Sequence, residues 1–308
     1  MKVLGLCAGR RNGNTEIMMK EAFRAIEEKC GAECKIVRVQ ETKINTCIGC
    51  ETCMVSHLKG DWEFRCIHKN GSDHFYFIEQ LMREADAIVV SSPAYNLLPT
   101  GQLIKLLNKV HASGDYRDVI RREPKIAAAF SIGGTDWTNF TPNFCRMIAM
   151  EICGTYDQMV DFVHWDFINA KGNVFLTEGV LERMHLFGEN IADALIKKAN
   201  GEKLEYKGTP GICPDCHGTF LEKRADGWYC PQCLTKAKLK MVDGELEVEF
   251  TPEERAKSRW SPYGVELHEN GIRWGHGRAA KGRETIKEGF GKYSVNEYVV
   301  ELPEIVKE

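Results

Sequence analysis

From Lys2 to Lys198 the chain alternates short apolar runs with stretches whose apolar residues recur at helical spacing, and this alternation limits the fold more than any other feature. Lys2 to Cys7 is an apolar run of strand length. Thr15 to Cys30 places Ile17, Met18, Ala22, Phe23 and Ile26 on one helical face, and Cys34 to Val39 alternates as a strand does. The pattern continues with a helix over 73–85, a strand over 87–91, a helix over 101–111, a strand over 125–132, a helix over 143–152 and a strand over 158–163. A helix over 178–198, stopped by Asn200-Gly201, closes the series. Five strands alternating with five helices predict an α/β unit: a doubly wound, five-stranded parallel sheet with both faces covered.

After Gly201 the composition turns to Lys, Glu, Gly and Pro, which reads as a linker over 201–212. Residues 213–250 hold four cysteines among short alternating segments, as expected of a small β unit. Thr251-Pro-Glu-Glu254 then supplies an N-cap, a proline at the first helical position and a capping-box glutamate, so a short helix is expected there. The rest of the chain to Glu308 shows no assignable pattern. The organisation read from the sequence is thus 1–200 with a cysteine-bearing insert over 44–72, a linker over 201–212, a metal ribbon over 213–250 and an extension over 251–308. A chain of 308 residues, 43% of them hydrophobic, suits one large core with an appendage, because single cores stop growing at roughly 250–300 residues.

The N-terminus MKVLGLCAGRR turns polar too soon for an export signal or a membrane span, and the expected location is the cytoplasm. Thirteen cysteines there are expected to remain reduced, and an odd number cannot all pair within one chain. Metals are the alternative use. Asn70-Gly-Ser72 and Asn139-Phe-Thr141 fit the glycosylation pattern by chance only, since that chemistry needs export. A net charge of −3, with acidic and basic residues interspersed, gives no field for a nucleic acid or an anionic membrane.

Three loops at the carboxyl ends of strands carry the binding signals, because open α/β sheets bind ligands at that edge. The first, Ala8-Gly-Arg-Arg-Asn-Gly-Asn-Thr15, runs from a strand into a helix. Its glycines let backbone amides and the helix N-terminus converge on an anion, and Asn14 and Thr15 add donors. It is neither a Walker A loop nor a dinucleotide fingerprint. The second, Ser91 to Gly101, offers Pro93 and Tyr95 as a stiff aromatic wall. The third, Ser131-Ile-Gly-Gly-Thr135, has paired glycines that admit a flat ring close to the backbone.

In these loops residues 1–200 resemble the NADPH-dependent FMN reductase family, which is flavodoxin-like in fold. The resemblance implies an FMN phosphate held by Gly9, Arg10, Arg11, Gly13, Asn14 and Thr15. It places the flavin ring against Pro93, Ala94, Tyr95 and Asn96, with Gly133, Gly134 and Thr135 as the third loop. The first loop departs from the family pattern, because Ala8-Gly9 stands where a serine hydroxyl is usual.

Cys47-Ile-Gly-Cys50-Glu-Thr-Cys53, followed by Cys66, can reach a single iron–sulfur cluster. The arrangement is similar to that of the iron–sulfur flavoproteins, which implies a [4Fe–4S] centre. The gap before Cys66 is longer than that subfamily's, and Cys7, His57 and His68 are alternative fourth ligands. Cys30, Cys34, Cys145 and Cys153 fall in apolar patterns and are expected to be buried bystanders. Cys213-Pro-Asp-Cys216 and Cys230-Pro-Gln-Cys233 form two knuckles at the spacing of a four-thiolate Zn²⁺ ribbon, with a rubredoxin-type iron as the alternative. Gly275-His-Gly-Arg-Ala-Ala280 fits a dinucleotide fingerprint only superficially. Trp260, Trp274, His268 and His276 are read as packing residues, with a lid over the flavin or a docking face as the alternatives.

The expected function is a flavin-dependent oxidoreductase that passes electrons between FMN and the cluster, with NAD(P)H or ferredoxin as electron partner. No acid–base catalyst stands out. A cluster-free FMN or quinone reductase and a non-catalytic docking module are the alternatives. A symmetric homo-oligomer is expected by analogy.

Overall fold

The computed structural model describes residues 1–68, 73–110, 112–154, 156–293 and 300. The end of the expected 44–72 insert, with Asn70-Gly-Ser72, and much of the far C-terminus lie outside the described residues. The elements run β1 (Lys2–Cys7), α1 (Asn14–Cys30), β2 (Glu33–Arg38), α2 (Thr52–Leu58), α3 (Phe75–Glu84), β3 (Ala87–Pro93), α4 (Gly101–Val110), α5 (Gly114–Arg122), β4 (Ile126–Ile132), α6 (Thr141–Cys153), β5 (Met159–Trp165) and α7 (Val180–Ala199). Their strands form one parallel sheet in the order β2-β1-β3-β4-β5. That is the flavodoxin-like order, with its switch point between β1 and β3. The doubly wound sheet is as expected.

Both faces of the sheet are covered, which is why β3 and β4 are apolar along nearly their whole length. Met18, Met19, Phe23 and Ile26 of α1 and Phe187 and Ile191 of α7 fill one side. Phe75, Ile78, Leu103, Leu106 and Ile148, from α3, α4 and α6, fill the other. α1 and α7 cross so closely that a methyl on Gly188 would run into the Ala22 carbonyl.

The helices α2 and α5 are additional to the expected five. α2 lies inside the cysteine insert, and α5 carries five charged residues among its nine, so neither shows a long apolar stripe. The segment read as a linker lies along the edge strand, with Lys207 N donating to Val160 O at 2.7 Å and Thr209 N to Phe162 O at 3.0 Å. Backbone groups on the outer edge of β5 are satisfied in this way.

The second sheet is antiparallel, β6 (Glu222–Arg224), β7 (Gly227–Tyr229), β8 (Lys236–Val242) and β9 (Glu245–Glu249), in sequential order. The short helix α8 (Pro252–Arg255) starts where the capping pattern predicts, with Thr251 Oγ1 accepting from Glu254 N. Beyond it, where the sequence shows no pattern, stand α9 (Pro262–Lys281) and α10 (Arg283–Tyr293). Glycine-275 to alanine-280 lies inside α9, so the apparent dinucleotide motif has no strand–turn–helix context. Among the described residues no helix is long and apolar enough to cross a membrane.

Candidate functional site

The three predicted loops begin side by side at the carboxyl edge of the large sheet. Ala8 N donates to Ser91 O at 2.9 Å, Ala94 N to Ile132 O at 2.8 Å and Gly133 N to Trp165 O at 2.8 Å. Gly13 stands at the N-cap of α1 and leaves it without a side-chain cap. Its first amides and positive dipole end therefore face the loop, which suits a phosphate. Arg10 is exposed there, whereas Arg11 forms a bidentate pair with Glu41 at 2.6 Å. Asn14 is turned away. Its side chain donates to Ala170 O at 2.7 Å and accepts from Gly172 N at 2.8 Å, tying α1 to the loop after β5.

Thr15 is buried, and the next residue, Glu16, is a buried carboxylate the sequence did not flag. Hydrogen bonds from Arg38 at 2.8 and 2.9 Å hold its pKa down to about 2, helped by Lys20 and by Asn12 N. The surrounding cations cancel its charge beside the anion loop.

In the second loop Tyr95 and Leu98 pair across a tight turn whose central residues, Asn96 and Leu97, both have positive φ (50° and 73°). Ser92 Oγ accepts from Thr100 N at 3.1 Å and closes the loop's base. Thr141 Oγ1, on the first turn of α6, donates to Leu97 O at 2.9 Å. In the third loop a methyl on Gly133 would collide with the Thr138 side chain, while Gly134 is not obstructed. Thr135 Oγ1 accepts from Trp137 N at 3.3 Å.

Beside this loop lies a polar network the sequence reading missed. His164 Nδ1 is 2.8 Å from Ser131 Oγ, its Nε2 is 3.1 Å from Asp166 Oδ1, and Thr138 donates to the same carboxylate at 2.8 Å. Burial lowers the His164 pKa, so the ring is neutral at pH 7. The available signal was two polar residues at the carboxyl end of an apolar strand.

The N-terminal cysteines line a second feature, a cavity of about 560 Å³. Cys47 and Cys50 reach it from the coil after β2, Cys53 from the first turn of α2, and Cys66 from the segment before α3. Cys66 is fixed by its amide, which donates to Tyr76 Oη at 2.6 Å, and by the neighbouring Arg65, paired with Asp115 of α5. The Cys50 thiol is lowered by the Thr52 hydroxyl, and burial raises that of Cys53. A fully buried ion pair, Lys109 Nζ to Asp73 Oδ2 at 2.9 Å, stands at the α4 wall, and Asp73 also receives Asn45 N from the cysteine coil.

The opposite wall is α9, through Ile272, His276 and Ala279, so His276 faces the cysteines and not the flavin loops. α9 is held by Glu269, which meets Arg121 at 2.7 Å and His57 at 3.8 Å. Of the three alternative ligands, only His68 lines the cavity. His57 packs edge-on against Trp62, and Cys7 is buried in the sheet with its pKa raised. The four sulfurs are not drawn together as for a single ion. A four-iron cluster, with sulfides between its irons, holds its thiolates farther apart than one ion does, and the cavity has that kind of room.

The ribbon cysteines are fully buried and meet directly. Cys213 and Cys233 sulfurs are 3.5 Å apart and Cys216 and Cys230 3.4 Å, all within 4.8 Å of one another. Four ligands around one ion at about 2.3 Å stand about 3.8 Å apart. His217 and Leu234, each following a knuckle, take positive φ of 54° and 59°, with His217 N on Cys213 O and Leu234 N on Cys230 O. Both knuckles therefore close although neither has the glycine usual at that point. Arg146, from α6, is buried against the Phe162 ring at 3.7 Å, and its Nε and Nη1 have no hydrogen-bond partner. Its charge lies close enough to Cys216 to be stabilised by a thiolate there. Cys145 and Cys153 are buried with pKa values pushed up to about 12, as befits bystanders, while Cys30 and Cys34 are only half-buried.

The three loops stand at the carboxyl edge of a flavodoxin-like sheet, the edge at which such sheets bind ligands. A family model for NADPH-dependent FMN reductase matches residues 1–148. The chain is a flavin-dependent oxidoreductase whose N-terminal part is similar to that family, which sets aside the non-catalytic alternative. FMN is its expected cofactor and a redox carrier its expected partner. An iron–sulfur flavoprotein of Methanocaldococcus jannaschii is 28% identical over 207 residues, covering all of that protein but 64% of this chain. A flavone synthase of Aspergillus candidus is 26% identical over 285 residues, 84% of each chain. The solved structure of a flavone reductase superposes with a TM-score of 0.78 at 21% identity, covering 99% of this chain and 100% of that one. That likeness is one of fold.

Proposed function

We propose that this oxidoreductase holds FMN across the loops 9–15, 93–96 and 133–135 and an iron–sulfur cluster, [4Fe–4S], in the cavity of Cys47, Cys50, Cys53 and Cys66. The cavity of about 560 Å³ with all four thiols in its wall carries the reading. When bound, FMN would supply two-electron chemistry and the cluster single-electron chemistry. The chain's own part is to hold the two at a fixed separation. α4 starts at the flavin loop, at Gly101, and meets the cavity at Lys109, which is about 12 Å of helix. The phosphate falls to α1 and Arg10, the ring to Tyr95 and the Gly133-Gly134 backbone. The ribbon takes Zn²⁺ by its closed, buried four-thiolate geometry. A cytoplasmic homo-oligomer supplied by NAD(P)H or ferredoxin completes the reading. Anaerobic reduction followed by low-temperature EPR tests it: a reduced-cluster signal is expected, and protein without iron outside the ribbon would contradict it.

A second reading is favoured by a separate observation. Tyr95, Trp137, Phe140 and Phe167 are all exposed in or just after the loops that follow β3, β4 and β5, at the same edge of the sheet. Such an aromatic mouth suits a flat aromatic substrate in a two-electron reaction, consistent with the flavone synthase match extending through most of the chain. Turnover of a flavone or flavanone by cluster-free protein would favour it over the first.

A further inference from the structure

One residue of α6 receives both metal knuckles. Asn143 Nδ2 donates to Thr219 Oγ1 at 2.8 Å, Thr219 N returns a bond to Asn143 Oδ1 at 2.9 Å, and Gln232 Nε2 donates to Asn143 O at 2.6 Å. Thr219 follows the first knuckle and Gln232 lies inside the second, between Cys230 and Cys233. Both Asn143 and Gln232 are buried, and Phe140 meets Phe220 edge-on at 5.6 Å beside them. Two residues earlier on the same helical turn, fully buried Thr141 holds Leu97 O at 2.9 Å. Leu97 has a φ of 73°, a conformation a branched side chain keeps only where its surroundings impose it.

We propose that Asn143 and Thr141 are positioning residues that couple metal binding in the ribbon to FMN affinity at the Tyr95–Leu98 turn. This coupling rests on the assignment of that turn to the flavin. The bound ion fixes the two knuckles, and the knuckles fix the first turn of α6 through Asn143. Thr141 then holds the strained turn in its ring-binding shape. Without the ion, Thr219 and Gln232 lose their mutual placement and the α6 turn loses its outer support. Linkage requires the converse as well, so bound FMN tightens metal binding by the same factor.

The test uses the full chain freed of flavin, with FMN affinity read by quenching of flavin fluorescence. It compares wild type, Thr141→Val and Thr141→Ser, each with metal and after stripping by a chelator. Metal release to a chromophoric chelator is timed with and without FMN. Removing the metal from wild type is expected to weaken FMN binding roughly tenfold. Thr141→Val should bind FMN weakly from the outset and lose little more on stripping, and Thr141→Ser, which keeps the hydroxyl, should follow wild type. FMN should slow metal release in wild type and Thr141→Ser but not in Thr141→Val. If stripping also unfolds the large sheet, the release rates of the two variants decide alone. Equal FMN affinity with and without metal in wild type, or full metal dependence retained in Thr141→Val, overturns the coupling. Wild type that binds no FMN at all overturns the flavin assignment and the coupling with it.

Discussion

The ribbon cysteines are at most 1% exposed and meet sulfur to sulfur, whereas Cys47 and Cys50 are exposed and Cys53 and Cys66 half-buried around a cavity. The difference follows from the backbone. Two knuckles turn each cysteine pair inward by local hydrogen bonds, and two positive-φ residues complete the turns, so the ribbon site is assembled by its own short loops. The N-terminal set has two cysteines on a coil, a third in the first turn of α2 and a fourth from the segment before α3, and its walls come from α4 and α9. One site has the closed geometry of a single-ion site, for which a part in folding is expected. The other is open, and its walls are built by the rest of the fold, so its occupant adds chemistry more than stability.

The contrast can be broken first at the ribbon. Cys216→Ser is expected to remove one metal per chain and unfold residues 213–250, since a structural zinc supplies on the order of 10 kcal/mol to so small a unit. Limited proteolysis with metal analysis would reveal it, and a protease-resistant, metal-bound variant would count against the account. Cys50→Ser should do the opposite, abolishing the iron while leaving stability within about 0.5 kcal/mol in urea, because that thiol is at the surface and packs into no core.

Between these lies Glu16, whose ion pairs belong to the large sheet and to neither cysteine site. Its folded pKa of about 2 lies below the ordinary 4.5. The carboxylate therefore binds fewer protons in the folded state, so its contribution is complete above about pH 4.5 and is lost as the pH falls through about 2. Glu16→Gln should cost roughly 2 kcal/mol at neutral pH, with the gap to wild type closing across that window in pH-dependent urea melts. A gap that stays constant with pH would assign the loss to packing.

Much of this was legible in the sequence, for physical reasons. Period-2 and period-3.6 apolar patterns set the five-stranded sheet, and the two CPxC knuckles set the ribbon, because both signals are local. The loops at residues 9–15, 93–96 and 133–135 were legible as neighbours because strand order places them so. What escaped was decided by tertiary contact. α9 carries scattered glycines and charges and has no stripe to betray it, yet it walls the cysteine cavity with His276. Asn14 reads as a phosphate donor by position, but its amide is spent on the loop after β5. Arg146 carries no mark in the sequence and is buried in the fold against the Phe162 ring.

The central claim is that one flavin and two unlike metal sites share this chain. Counting FMN, iron and zinc per chain in anaerobically purified protein tests it most directly. The account predicts one FMN, about four irons and one zinc per chain, with Cys50→Ser losing only the iron and Cys216→Ser losing the zinc. Protein that carries FMN and zinc but no iron, with wild type and Cys50→Ser alike, would contradict the account of the N-terminal cysteine cavity.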